Sequence, residues 1–175
     1  DVAEFLKEKL GKDPGPILTL SGKKIGIHDG LSFYTIGQRR GIGSTGGGIP
    51  YYVVSKNAAK NALFVAEAEH SALFSKELMV KDINWISGNP ITDGPKLQLK
   101  CLARIRYRQP LEKATLFELP VSTTARRSSG GRIIKNSKSK ILKVIFNEPQ
   151  RAVTPGQSAV FYMASGVMLG GGIIV

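Results

Sequence analysis

The 175-residue chain carries 25 Lys and Arg against 13 Asp and Glu, a formal net charge of +12, with 42% hydrophobic residues. That hydrophobic share excludes a disordered chain, and no apolar run approaches the ~20 residues needed to span a bilayer. The single cysteine, Cys101, excludes an internal disulfide and a cysteine-based metal cluster, and fits a reducing compartment such as the cytoplasm.

Asp1 to Leu10 is predicted as one short helix. Asp1 caps it with Glu4 as a capping-box-like partner, and Val2, Phe5, Leu6 and Leu10 fall at helical spacing. Gly11 and then Pro14-Gly15-Pro16 end it. The sequence opens without an initiator Met or a basic-then-apolar leader, so residues 1–16 read as a helix and linker leaving an upstream domain. Short strands follow at Lys23–Ile27 and Leu31–Ile36. Tyr51–Ser55 and Ala62–Ala66 read as a hairpin around Lys56-Asn57, and Ser71 to Phe74 hints at one helical turn. Lys76–Ile86 is a longer strand carrying the only Trp, Trp85. Gly88-Asn89-Pro90 through Gly94-Pro95 is the domain boundary that the turn residues favour.

The clearest strand is Leu97 to Tyr107. Leu97, Leu99, Cys101, Ala103, Ile105 and Tyr107 alternate with an outward face bearing Lys100, Arg104, Arg106 and, just beyond, Arg108. Further strands are expected at Ala114–Leu119, Ile141–Phe146, Ala159–Met163, Val167–Leu169 and Ile173–Val175. Between them, Ser122 to Ser139 reads as an exposed basic loop, and loops of that length are commonly functional. Many short strands with regular turns predict a small barrel or sandwich.

The chemistry-bearing residue types form no catalytic pattern. Gly41 to Gly48 lacks the Gly-Lys-Ser/Thr ending of a phosphate-binding P-loop and leads into a strand, so it reads as a flexible loop. Gly170-Gly171-Gly172 is expected to allow close backbone approach or a tight turn between edge strands. Cys101 sits on the apolar phase of its strand and is expected to be a buried, inert thiol. His28 reads as a turn residue, no carboxylate pair stands near either histidine, and no metal motif occurs. What remains is cationic surface interleaved with aromatic and amide groups. In Arg104-Ile105-Arg106-Tyr107-Arg108-Gln109, guanidinium forks suit phosphate oxygens and the ring suits an unpaired base. Glu148 to Arg151 and Thr154 to Ser158 read as a second polar turn, in which Pro155-Gly156 fits a type II turn presenting Gln157. A net charge of this sign in a globular chain points to an anionic partner, nucleic acid foremost.

Taken in order, these segments resemble one family. Gly30-Leu31, then Tyr34-Thr35-Ile36-Gly37-Gln38-Arg39-Arg40-Gly41, resembles a signature of the bacterial and mitochondrial tRNA-specific 2-thiouridylases. Tyr51-Tyr52-Val53-Val54, Arg104 to Gln109, Pro149 through Tyr162, and Leu169-Gly170-Gly171-Gly172-Ile173-Ile174 are similar to it too, from about Phe5 to the end. The resemblance implies a tRNA-uridine 2-sulfurtransferase with an ATP-pyrophosphatase domain, a small central domain and a C-terminal β-barrel. That enzyme adenylates the wobble uridine with ATP and Mg, then installs sulfur from a cysteine persulfide. The Ser-Gly-Gly-x-Asp-Ser pyrophosphatase core and both family cysteines are absent from this sequence, and Cys101 corresponds to neither. The resemblance maps tRNA contacts onto Arg106, Tyr107 and Gln157; Arg104, Arg108, Gln109 and Arg151 join them as neighbours in the same motifs. Strict alternation would bury Tyr107, so its strand is expected to end or bulge there. The Ser122–Ser139 insert is longer than the family's connection, and it either adds phosphate contacts or is disordered.

The expected protein is thus mainly β: residues 1–16 helix and linker, 17–88 a central domain, and 95–175 a six-stranded-type barrel. It is expected to hold tRNA as a monomer, without catalytic, cofactor or metal residues of its own. A sulfur-relay protein would serve the whole enzyme, in the cytoplasm or, for a eukaryotic homologue, in mitochondria. The alternative from another class is a standalone RNA-binding barrel resembling translation-factor or ribosomal modules.

Overall fold

In the computed structural model, residues 5, 8, 9, 11–42, 49–91, 98–119 and 141–175 are described. Phe5, Glu8 and Lys9 are helical where a helix was expected; the rest of that segment, residues 43–48, the Gly94-Pro95 boundary and the basic insert lie outside the described residues. The chain divides into two compact units, residues 1–75 with 151–153, and residues 76–150 with 154–175.

The first unit is a four-stranded sheet in the order β2-β1-β4-β3, built from β1 (Gly15–Thr19), β2 (Lys24–His28), β3 (Tyr51–Asn57) and β4 (Ala62–Glu67). β3 and β4 form the expected hairpin, although its turn falls at residues 58–61 rather than at Lys56-Asn57. β1 has no counterpart in the sequence reading, because Pro14-Gly15-Pro16 mimics a helix stop. Pro16 pairs only with Ile27 of β2; the parallel ladder to β4 starts at Ile17, so the proline precedes the doubly paired stretch. Leu31–Ile36 is not a strand. Phe33 N–H donates to Gly30 O and Tyr34 N–H to Leu31 O, and these local bonds close a 3-10 turn that leaves no ladder to form. His28 is not a turn residue either: it ends β2 fully buried, with Nε2 3.1 Å from Asn61 O and its ring edge-on to Tyr34. Ile17, Tyr34, Ile42, Val53, Leu63 and Val65 form the core.

The second unit is a closed six-stranded barrel, as expected. Its strands are β5 (Phe74–Trp85), β6 (Gln98–Arg104), β7 (Glu112–Leu119), β8 (Ile141–Arg151), β9 (Ser158–Tyr162) and β10 (Met168–Ile174), closing in the order β10-β5-β8-β7-β6-β9. Alternation fills the inside with Cys101, Ala103, Ala114, Leu116, Leu142, Val144, Phe146, Ala159 and Phe161; burying each large apolar side chain contributes about 1.5–3 kcal/mol. The reading that ended the first domain at residue 88 is moved. β5 pairs with β10, so Lys76–Trp85 is barrel, and the division falls between Ser75 and Lys76. A Gly-Asn-Pro turn marks a break in local pairing, which need not be a break between cores.

Two other readings change for tertiary reasons. Glu148 to Arg151 is the end of β8 rather than a turn, and Gln150 there is buried. The two short terminal strands are one, running through Gly170-Gly171-Gly172 between β9 and β5. A Cβ on Gly171 or Gly172 would stand 2.6 Å from the Ala159 or Lys81 carbonyl oxygen, so close approach is the reason for these glycines, in a strand paired on both sides.

Candidate nucleic-acid interface

Strand β6 stops three residues earlier than alternation predicts, and this creates the site. Ile105 is the last inward residue; Gln109 N–H then donates to Arg106 O, closing a turn over Arg106 to Gln109. Tyr107 is therefore released from the buried phase and is 88% exposed. Beside this turn runs β9, paired so that Leu102 meets Tyr162 and Arg104 meets Val160 on the outer wall. The third side is the Thr154–Gln157 turn. Gly156 sits there at φ 86°, as the third position of a type II turn demands. β10 holds this turn: Gly156 N–H donates to Ile174 O, and Ile174 N–H donates to Gln157 O.

Together these segments enclose an open hollow of about 520 Å³, whose lining includes Arg104, Arg106, Tyr107, Gln157, Ser158 and Tyr162 and no acidic residue. Of the seven residues expected to bind tRNA, four line it. Arg106 and Tyr107 are exposed. The Gln157 Oε1 atom is buried without a hydrogen-bond partner. An unpaired acceptor of that kind costs about 1–3 kcal/mol, which a ligand N–H or O–H would recover once the side chain turned into the hollow. Arg104 is tied into the wall. Its Nε–H and one terminal N–H donate to the Tyr162 hydroxyl at 3.3 and 2.8 Å, and the other terminal nitrogen donates to Tyr107 O at 3.2 Å. It thus links β9 to the turn that presents Tyr107.

The remaining three are placed elsewhere. Arg108 is exposed on the turn but does not line the hollow. Gln109 is turned inward: its Nε2 donates to Gln150 Oε1, and its Oε1 accepts from Ile105 N–H at 3.4 Å. An amide engaged at both ends shapes the turn rather than reading a ligand. Arg151 belongs to the first unit, where its guanidinium lies 4.4 Å over the Tyr52 ring. Sequence reasoning missed Tyr162. Its outward phase beside inward Phe161 was readable, but its pairing with β6 was not.

Cys101 is buried, and burial pushes its thiol from 9.0 up to about 12. The folded chain should therefore resist a disulfide reagent at pH 8 and react fully in denaturant; rapid reaction while folded would contradict this. The unfolded thiol ionises near 9, so the stability it contributes is complete below that pH and is lost as pH rises from about 9 to about 12. Among the described residues no three His, Cys, Asp or Glu side chains gather to hold a metal. Nor is any described helix long and apolar enough to cross a membrane.

Comparison with known proteins agrees with this architecture. Residues 3–67 match the family model described as tRNA methyl transferase PRC-barrel domain, and residues 126–174 the one described as aminomethyltransferase beta-barrel domain. The chain is 41% identical over 175 residues to the tRNA-specific 2-thiouridylase MnmA of Halalkalibacterium halodurans, covering 99% of this chain and 41% of that protein. It is 41% identical to the Psychrobacter arcticus protein of the same name and 40% identical to that of Alkaliphilus oremlandii, covering 98% of this chain and 39% and 42% of those proteins. The chain thus spans about two fifths of the length of the curated relatives it matches.

Proposed function

Because this chain belongs to the tRNA-specific 2-thiouridylase family, we propose that it is the tRNA-gripping portion of an enzyme that 2-thiolates the wobble uridine. The single observation that best supports this reading is the hollow, which draws Arg106 and Tyr107 from one motif and Gln157 from another to one face of the barrel. Arginine phosphate contacts position an RNA, whereas an exposed ring and an unpartnered amide engage an unpaired base. Arg104 and Gln109 keep that turn in shape. Adenylation with ATP and magnesium, and transfer of sulfur from a donor protein, are assigned to residues beyond these 175. The one thiol here is buried and its pKa is raised, which makes it a poor carrier of persulfide sulfur. The assembly is proposed to act as a monomer in the cytoplasm.

The test is a salt titration of tRNA binding to the 175-residue chain, paired with a thiolation assay. Affinity is expected to be weak and to fall linearly on a log–log plot, with a slope near −0.7 to −0.9 per phosphate neutralised. No 2-thiouridine is expected on adding ATP and a sulfur donor. Salt-independent binding would remove the RNA-gripping reading, and thiolation would return the chemistry to this chain.

A further inference from the structure

The Tyr34 to Gly41 motif belongs to the first unit, and the barrel hollow makes no use of it. Its backbone is fixed with unusual thoroughness for a surface loop. Tyr34, anchored in the core, donates its hydroxyl to Gly41 O at 3.0 Å. The Gln38 amide works in both directions, accepting from Thr35 N–H at 3.0 Å and donating to Arg40 O at 2.9 Å. The backbone of β3 clamps the same turn: Gly37 N–H donates to Val53 O at 2.8 Å, and Val53 N–H to Gln38 O at 3.0 Å.

What this framework presents is two adjacent exposed arginines, Arg39 and Arg40. No carboxylate among the described residues forms an ion pair with either. The residue before Val53 is Tyr52, over whose ring the Arg151 guanidinium lies at 4.4 Å. A ring beneath a guanidinium holds it flat while leaving its N–H edge available. Arginines that only solubilise a surface need no fixed backbone, and placing like charges side by side is unfavourable until an anion arrives. A pre-ordered pair of forks loses little entropy on binding, and phosphate oxygens match it.

We propose that the Arg39–Arg40 loop, together with Arg151 held on Tyr52, is a phosphate-binding site for an RNA backbone, carried by the first unit and additional to the barrel hollow. The proposal rests on the reading of the partner as RNA, but not on the residues of the hollow.

The test compares tRNA binding by the wild-type 175-residue chain, by Arg39→Ala/Arg40→Ala and by Arg39→Lys/Arg40→Lys, across a salt series followed by fluorescence anisotropy. The alanine pair is expected to weaken binding and to flatten the log–log slope by about 1.4–1.8, two phosphates at roughly 0.7–0.9 each. The lysine pair, which keeps both charges and any structural role of the stems, should retain the slope. An unchanged slope in the alanine pair overturns the proposal. Arg106→Ala, measured alongside, separates the two readings. If it has no effect while the alanine pair does, the hollow fails and the loop stands; the reverse result removes the loop alone. ATP or inorganic phosphate at constant ionic strength should leave the wild-type and variant difference intact. Loss of that difference would reassign the loop to a small phosphorylated ligand and overturn the proposal.

Discussion

Replacing Arg106 and Tyr107 together by alanine should weaken tRNA binding by about 10- to 100-fold, equivalent to roughly 1.4–2.8 kcal/mol. The estimate combines one lost phosphate contact with one lost stacking surface, the latter alone worth about 1–3 kcal/mol per base. Both side chains are exposed, so the double variant should remain folded, as a cooperative thermal melt would show. Single variants divide the effect. Arg106→Ala should flatten the salt slope by about 0.7–0.9, whereas Tyr107→Ala should leave the slope unchanged while lowering affinity. Tyr162→Phe supplies the contrast. It deletes the hydroxyl that Arg104 grips without altering charge. A several-fold loss of affinity at constant slope would mark Arg104 as a brace for the Tyr107 turn. A Tyr162→Phe chain that binds as wild type, beside an Arg104→Ala chain with a flattened slope, would make Arg104 a direct phosphate contact. Unchanged affinity in the Arg106 and Tyr107 double variant would remove the hollow as the tRNA site.

The largest stability effect is expected at Gly170. It lies at φ 155° in β10, and an added Cβ would stand 2.2 Å from Asn84 O and 3.0 Å from the Trp85 Cα. Those contacts are with the backbone of β5, which cannot rotate away as a side chain would. Moving it would open the β10–β5 seam on which barrel closure depends. Gly170→Ala should therefore cost more than about 3 kcal/mol, combining a glycine-only backbone region with a steric overlap. For a domain of this size each kcal/mol lowers the melting temperature by roughly 4–8 °C. Gly166→Ala is the control. That glycine has φ 86° but nothing within 4 Å of its would-be Cβ, so only the left-handed backbone penalty of roughly 1–2 kcal/mol applies. Thermal melts followed by circular dichroism should separate the two variants clearly, and equal melting temperatures would mean that β10 can shift without opening the barrel.

Much of the site was legible because its residues sit in contiguous motifs. Arg106 and Tyr107 share one turn, and Pro155-Gly156 forces another beside Gln157. The barrel was legible from strands whose inward positions alternate, as Ala114 and Leu116 or Leu142, Val144 and Phe146 do. Alternation is a local property, and a sequence displays it directly. Pairing is not local. That β9 lies against β6, bringing Tyr162 to Arg104, depends on which hydrogen-bond edges remain free once every other strand is placed. The same reason moved β5 out of the first module, since its partner β10 is the last strand of the chain.

By itself, then, the sequence determined the basic charge, the strand-rich class, the buried thiol and the arginine, tyrosine and glutamine motifs of the candidate site. The tertiary structure decided where those residues face. β6 ends at Arg104, so Tyr107 turns out to solvent and Ile105 stays in. Gln109 is drawn to Gln150, 41 residues away, and does not line the hollow. Gln157 keeps an acceptor without a partner because the bonds that fix its turn come from Ile174 and engage only the backbone. A side chain's neighbours across a barrel are set by strand order and closure, and no window of contiguous residues contains that information.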